Sequence, residues 1–200
     1  MASQDQFEAP DYYLLDELLT SEHLLIRKTI RSFVKKEISP IIEEACQSCI
    51  FPKQILPKLG DLGCFGPFIP NKYGGAELDQ ISYGLIMQEL ERGDSGIRST
   101  ASVQSSLVMY PIFAYGTDQQ REKYLSRLAT GEIMGCFGLT EPNHGSNPGG
   151  MESRFKDAGD YYILNGSKLW ISNSPFADIA IVWAKNENNR IQGLIVETDS

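Results

Sequence analysis

Gly135-Cys-Phe-Gly-Leu-Thr-Glu-Pro-Asn-His-Gly-Ser-Asn147 is where this chain changes character. Before about Ile133 apolar residues recur at helical spacing, and after it they gather in short β-branched runs. The stretch opens apolar and turns into a loop of hydroxyls, small residues and free backbone amides. Successive N–H groups around Gly145 and Ser146 form a concave donor set suited to phosphate oxygens, and the missing side chain at Gly145 lets a ligand approach the main chain. Thr140 and Ser146 add two hydroxyls that donate or accept. On composition alone the same loop also reads as an ordinary surface turn.

Downstream, Lys168-Leu-Trp-Ile-Ser-Asn173 sets an indole among hydroxyl and amide groups at the end of an expected strand. Trp170 offers a face and Ser172 a hydroxyl to a flat, conjugated, hydrogen-bonding ligand; the alternative is that Trp170 is a core residue. Tyr161 to Leu164, Asn165-Gly166 and Ser167 to Ile171 predict a hairpin, with Asn-Gly supplying the positive φ values of a type I′ turn. Ile179 to Ala184 and Ile191 to Val196 predict two more strands joined by the polar turn Asn186 to Asn189.

Upstream, Thr20 is expected to cap a helix in which Ile26, Ile30, Phe33, Val34 and Ile38 repeat until Pro40. A short helix follows from Ile41, and the segment Lys53 to Leu62 either kinks or starts at Pro57. Asp79 opens a stronger helix with Ile81, Leu85, Ile86 and Leu90 on one stripe and Gln88, Glu91 and Arg92 off it, ended by Gly93. Thr117-Asp-Gln-Gln120 has the capping-box form and starts a helix with Tyr124, Leu125 and Leu128 inward, closed by Gly131. The pattern predicts an α+β chain: an extension over 1–18, a helical bundle over 19–132, and an antiparallel β-domain over 133–200.

A helix expected from Ser95 to Val108 carries Ser95, Arg98, Ser102 and Ser105 at spacings of three and four, on one face. The stripe either faces water, with Arg98 paired to Asp94, or lines a cavity, where a desolvated guanidinium needs an anion. Among 200 residues, 42% are hydrophobic, 22% are charged and the net charge is -8, which argues against duplex DNA or an anionic membrane as the main partner. No run approaches the roughly 20 apolar residues that cross a bilayer. The acidic first residues resemble neither a signal nor a transit peptide, so the expected place is the cytoplasm. Cys46-Gln-Ser-Cys49 has CxxC form but no second pair, and Cys64 and Cys136 stand alone, so no metal site is expected.

The motifs GCFGLTEPNHGSN and, after them, NGSKLWISN are similar in residue type and spacing to the flavin signature of the acyl-CoA dehydrogenases. The resemblance runs from about Leu19 to the last residue. Glu91-Arg-Gly-Asp-Ser-Gly-Ile-Arg-Ser99 and the following Ser102-Val-Gln-Ser-Ser-Leu-Val look most like the glutaryl-CoA dehydrogenase branch. The resemblance implies FAD as cofactor, with Phe137, Gly138, Leu139, Thr140, Gly145 and Ser146 along it and Trp170, Ile171 and Ser172 bordering its ring. It implies that Arg98 holds the distal carboxylate of the substrate, with Glu91, Ser99, Ser102 and Ser146 in the substrate site, and that glutaryl-CoA is oxidised to crotonyl-CoA with loss of CO₂.

It also implies electron transfer flavoprotein as electron acceptor and a homo-oligomer, commonly a tetramer. The base, a Glu in a second helical domain, has no counterpart here, so these residues resemble an N-terminal half, with the β-domain incomplete, that does not turn over alone. The family usually has Thr at Ser172 and Asp at Asn147. The alternatives are a monocarboxylic acyl-CoA dehydrogenase or oxidase on the same fold, and a non-catalytic remnant acting as an interaction subunit.

Overall fold

The structure, a computed structural model, describes residues 11–198. The expected extension over 1–18 therefore lies outside the described residues as far as position 10. Thr20 caps α1 (Ser21–Phe33): its hydroxyl accepts from His23 N at 3.2 Å, while His23 Nδ1 accepts from Thr20 N at 3.3 Å. The helix runs on through a wide turn over Val34–Ile38, where Ser39 N reaches back to Val34 O at 2.9 Å. After α2 (Ile42–Ser48), α3 (Leu56–Asp61) carries Pro57 in its first turn, the second of the two outcomes foreseen. A first-turn proline fits because its missing N–H has no helical acceptor there.

Asp79 caps α4 (Gln80–Gly93), its Oδ1 accepting from Ser82 N at 2.7 Å. Ile86 and Leu90 are buried, but Ile81 is 50% exposed, contrary to the expected stripe. At about 100° per residue Ile81 stands roughly 140° from Ile86 and 180° from Leu90. Glu89 takes the inner position instead, fully buried, and accepts from Arg31 Nε and Nη2 at 2.8 Å each, which ties α1 to α4. Asp94 closes α4 and opens α5 (Ser95–Ser102): its N donates to Leu90 O at 3.0 Å and its Oδ1 accepts from Ile97 N at 2.8 Å. A second wide turn over Val103–Met109 carries α5 into α6 (Tyr110–Tyr115), a longer rod than the one expected to Val108. The foreseen capping box of Thr117 and Gln120 starts α7 (Asp118–Thr130), and Gly131 ends it at φ 72°.

Five strands follow: β1 (Gly135–Gly138), β2 (Arg154–Asp157), β3 (Tyr162–Asn165), β4 (Ile179–Lys185) and β5 (Ile191–Glu197). The sheet is mixed, which corrects the antiparallel expectation. β5 pairs antiparallel along all of β4, while β1 pairs with the first half of β4 in parallel and β2 meets its last residue, also in parallel. The chain between β1 and β4 runs out and returns, so both strands point the same way.

The expected hairpin through Asn165-Gly166 is also corrected. β3 pairs back onto β2 across the turn at Ala158 to Tyr161, and Ser167 to Ile171 is not a strand. Gly166 has φ 153°, positive but far from the values of a type I′ turn, and a Cβ there would lie 2.1 Å from Ser153 Oγ. It serves close chain approach, not a type I′ turn. Buried Ile30, Leu90 and Leu128 of the helices join Ile133, Ile179 and Ile181 in one core that spans both layers.

Candidate functional site

The loop after β1 and the segment before β4 are side by side. Leu169 N donates to Thr140 O at 2.9 Å, and Lys168 Nζ donates to Leu139 O at 3.0 Å and to Glu141 Oε1 at 2.8 Å. These contacts join the two stretches expected as walls of a ligand slot. Trp170 is 83% exposed and holds a left-handed backbone at φ 60°, so it is not a core residue. A bulky side chain in that region is an outlier that marks strain. Ser172 is exposed and Ile171 half-buried, and the chain is fixed again at Asn173, buried, which donates to Gly135 O at 3.1 Å and Thr100 O at 3.4 Å.

On the loop side, Glu141 and His144 exchange backbone hydrogen bonds at 3.2 and 3.1 Å, folding the Glu-Pro-Asn-His turn. Gly145 and Ser146 then emerge exposed, and a Cβ on Gly145 would meet no heavy atom within 4 Å. Among the described residues the Thr140 and Ser146 hydroxyls have no hydrogen-bond partner. Asn147 stays tied in, its O accepting from Gly150 N at 3.0 Å. Gly138 is buried and Leu139 half-buried. Phe137 is placed differently from the loop residues: its ring packs edge-on to Trp183 at 6.1 Å.

Sequence reasoning missed the Glu141–Lys168 pair. Glu141 is 4% exposed and Lys168 13%, and the carboxylate also accepts from Glu152 N at 2.5 Å and Ser153 N at 2.9 Å. Burial, the largest single influence, pushes this carboxyl up, but the Glu152 amide, the Lys168 ammonium and Ser153 together bring it down to about 2. It is an anion that accepts three hydrogen bonds. Only its place beside Thr140 and the lysine beside Trp170 could have hinted at the pairing, since the fold alone brings them together.

Arg98 is not paired with Asp94, which is spent on the helix cap. Its Nε donates to Glu91 Oε2 at 2.7 Å and its Nη1 to Ser102 Oγ at 3.3 Å, with Arg98 35% and Glu91 47% exposed. Ser95 Oγ donates to the other Glu91 oxygen at 2.6 Å. These hydrogen bonds, Ser95 first and Arg98 second, hold the Glu91 carboxyl below its ordinary value. Half-buried Ser99 contributes its carbonyl to Ser102 Oγ at 3.1 Å. Ser105 leaves the stripe: it is fully buried and donates to Ala101 O. Asn173 connects this helix to the slot through Thr100.

A cleft of about 440 Å³ between α6, the start of α7 and the β4–β5 pair is lined by Tyr115, Gln120, Trp183 and Gln192, among others, and by none of the expected site residues. Cys46 and Cys49 are exposed thiols at the end of α2. Among the described residues no cluster of three or more His, Cys, Asp or Glu could hold a metal, and no helix is long and apolar enough to cross a membrane.

Comparison with known proteins gives one family. The model for the acyl-CoA dehydrogenase N-terminal domain matches residues 20–132, and that for the middle domain matches residues 136–200. A crystal structure of a glutaryl-CoA dehydrogenase from Mycobacterium smegmatis, in complex with FADH2, is similar at TM-score 0.89 and 44% identity, over 92% of this chain and 47% of that one. A 3-(aryl)acrylate reductase of Clostridium sporogenes is 41% identical over 86% of this chain and 45% of its own length. A glutaryl-CoA dehydrogenase of Desulfococcus multivorans is 36% identical over 85% of this chain and 44% of its own length. The chain thus spans about half the length of the relatives it matches.

Proposed function

The chain belongs to the acyl-CoA dehydrogenase family, and from that premise we propose that it supplies the flavin wall and the acyl-recognition helix of an enzyme oxidising glutaryl-CoA at the α,β bond, with FAD as redox group. The observation that carries this reading is the hydrogen bond from Leu169 N to Thr140 O, which sets a hydroxyl-bearing glycine loop beside an exposed indole. The residues fit a planar, phosphate-bearing group. Thr140 and Ser146 have hydroxyls without a hydrogen-bond partner among the described residues, Gly145 leaves open space, and Trp170 offers an uncovered face. Thr140, Trp170, Ile171 and Ser172 would hold the ring, Gly145 and Ser146 the pyrophosphate, while Phe137, Gly138 and Leu139 form the floor leading to it. When bound, FAD accepts the hydride that leaves the β-carbon of the thioester.

The residues of this chain bind and orient, and do not abstract the α-proton. A base works best with a pKa near the working pH, whereas Glu141 is held ionised near 2 and Glu91 is engaged by Ser95 and Arg98. The base would come from a further helical domain of the kind this family carries, and the 200-residue chain alone would not turn over. Arg98, supported by Glu91, Ser99 and Ser102, would receive the distal carboxylate of glutaryl-CoA, with Ser146 bordering both ligands. Loss of CO₂ to give crotonyl-CoA, electron transfer flavoprotein as acceptor, tetrameric assembly and a cytoplasmic location complete the reading, all resting on family resemblance.

A second reading has one observation in its favour: the Arg98 charge is already paired with Glu91, with Nη1 on Ser102, and so is balanced without a substrate anion. A monocarboxylic thioester would then be the substrate. The test is Arg98→Gln in a full-length version. Under the dicarboxylate reading glutaryl-CoA turnover falls about 10⁴-fold while butyryl-CoA turnover is little changed, since the distal carboxylate loses the cation that receives it. Equal losses on both substrates would remove the carboxylate clamp. Absence of yellow colour in the purified chain supplied with FAD would remove the flavin reading and leave a non-catalytic subunit.

A further inference from the structure

We propose that Glu141 and Lys168 are positioning residues that set the spacing of the two slot walls, so that flavin affinity depends on them without either touching the ligand. The inference rests on the flavin reading of the slot. Three consecutive residues of one wall are tied to two of the other. Leu139 O accepts from Lys168 Nζ at 3.0 Å, Thr140 O from Leu169 N at 2.9 Å, and Glu141 Oε1 from Lys168 Nζ at 2.8 Å. Behind them, the amides of Glu152 and Ser153 anchor the same carboxylate, so the pair is fixed to the body of the β layer.

What these ties support is otherwise loose. The Thr140 hydroxyl and the Trp170 side chain make no hydrogen bond to described residues, and Trp170 is exposed with a strained left-handed backbone. Such a conformation persists only where its surroundings over-determine it. Here the surroundings are the Lys168–Leu169 ties on one side and buried Asn173 on the other. A shielded ion pair adds little net stability compared with apolar packing. Its use here is geometric, because one ammonium bonds a carbonyl and a carboxylate two residues apart on the facing wall at once. The two charges cancel, so the effect on an anionic ligand passes through wall spacing and not through field.

The test compares Lys168→Met and Lys168→Arg with Glu89→Gln, a remote buried ion-pair control, in the 200-residue chain. FAD affinity is read by flavin fluorescence, and opening of the slot in flavin-free protein by exchange of the Leu169 amide in NMR spectra. Lys168→Met removes both ammonium bonds and should weaken FAD about tenfold or more and speed Leu169 exchange by a similar factor. Lys168→Arg should stay near wild type, and Glu89→Gln should lower the melting temperature without changing FAD affinity. Should Lys168→Met not fold, Glu141→Gln takes its place with the same expectations. Wild-type FAD affinity in Lys168→Met, or unchanged Leu169 exchange, overturns the proposal. Failure of the wild type to take up FAD overturns the slot reading alone, and the exchange result still decides whether the pair sets the spacing.

Discussion

Gln104 and Asn173 hold opposite ends of one residue: Gln104 Oε1 accepts from Gly135 N at 2.8 Å, and Asn173 Nδ2 donates to Gly135 O at 3.1 Å. The first comes from the helical layer and the second from the segment behind Trp170. Gln104 Nε2 also donates to Leu128 O and Ile133 O, both at 2.9 Å, so a single fully buried amide joins α7, its exit and β1.

Gln104→Met would leave Gly135 N and Ile133 O without this partner in a buried interior, while Leu128 O keeps its bond from Gly131 N. An orphaned group costs about 1–3 kcal/mol, so the loss in urea unfolding should be on the order of 3 kcal/mol with little change in m-value. A loss below about 1 kcal/mol would mean that water or a rearranged neighbour replaces the amide.

Gly135 also touches Val108, where an added Cβ would sit 2.4 Å from Cγ1. Gly135→Ala should therefore cost about 1–3 kcal/mol by overpacking. Val108→Ala alone should also destabilise, by leaving a cavity. In the double variant the new methyl occupies the vacated space, so the combined loss should fall short of the sum by about 1 kcal/mol or more. Strict additivity in denaturant titrations would contradict this contact.

Trp170→Gly should act in opposite directions on stability and binding. Relief of the left-handed backbone is worth roughly 1 kcal/mol, and the side chain is largely in water, so the ligand-free chain should melt no lower than wild type. FAD affinity should drop, because the uncovered ring is lost. Parallel losses in both measurements would show that Trp170 supports the fold and not a ligand.

The Glu141 carboxyl titrates near 2 in the folded chain against an ordinary 4.5. The unfolded chain takes up the proton first, so this group's contribution is complete above about pH 5 and drains away as the pH falls toward 2. Glu141→Gln should flatten the fall of the thermal midpoint between about pH 5 and 3. Identical slopes for variant and wild type would place acid sensitivity elsewhere, for instance at Asp79, whose carboxyl is lowered to about 2 by the Ser82 amide and His23.

Local signals carried the helical layer. Thr20, Asp79 and Thr117 cap the helices that their types announce, and Ile30, Leu90 and Leu128 turn inward as their spacing requires. The failures came where a tertiary partner outweighed a local motif. Asn165-Gly166 has hairpin chemistry, yet Gly166 is used to pass close to Ser153. Ile81 was expected on the inner stripe, yet Glu89 takes the buried position because Arg31, far away in sequence, supplies its counter-charge. In the candidate site Thr140 and Trp170 stood out by type and Arg98 by its serine neighbours, and the fold brings the first two stretches side by side. What was hidden was the join, because Lys168, Gln104 and Asn173 bond to carbonyls and amides that no residue code reveals.

The wide turn over Val103–Met109 works as a phase shifter between two gears on one shaft. Tyr110 N reaches back to Ser105 O, one residue further than an α-helix allows, so the side chains on either side of it are out of step. Ahead of it, Arg98 and Ser102 remain reachable from outside; near its end, buried Val108 packs against Gly135 of β1. Removing a single residue there would twist one gear against the other by about 100°, so this rod tolerates exchanges of side chain far better than any change in its length.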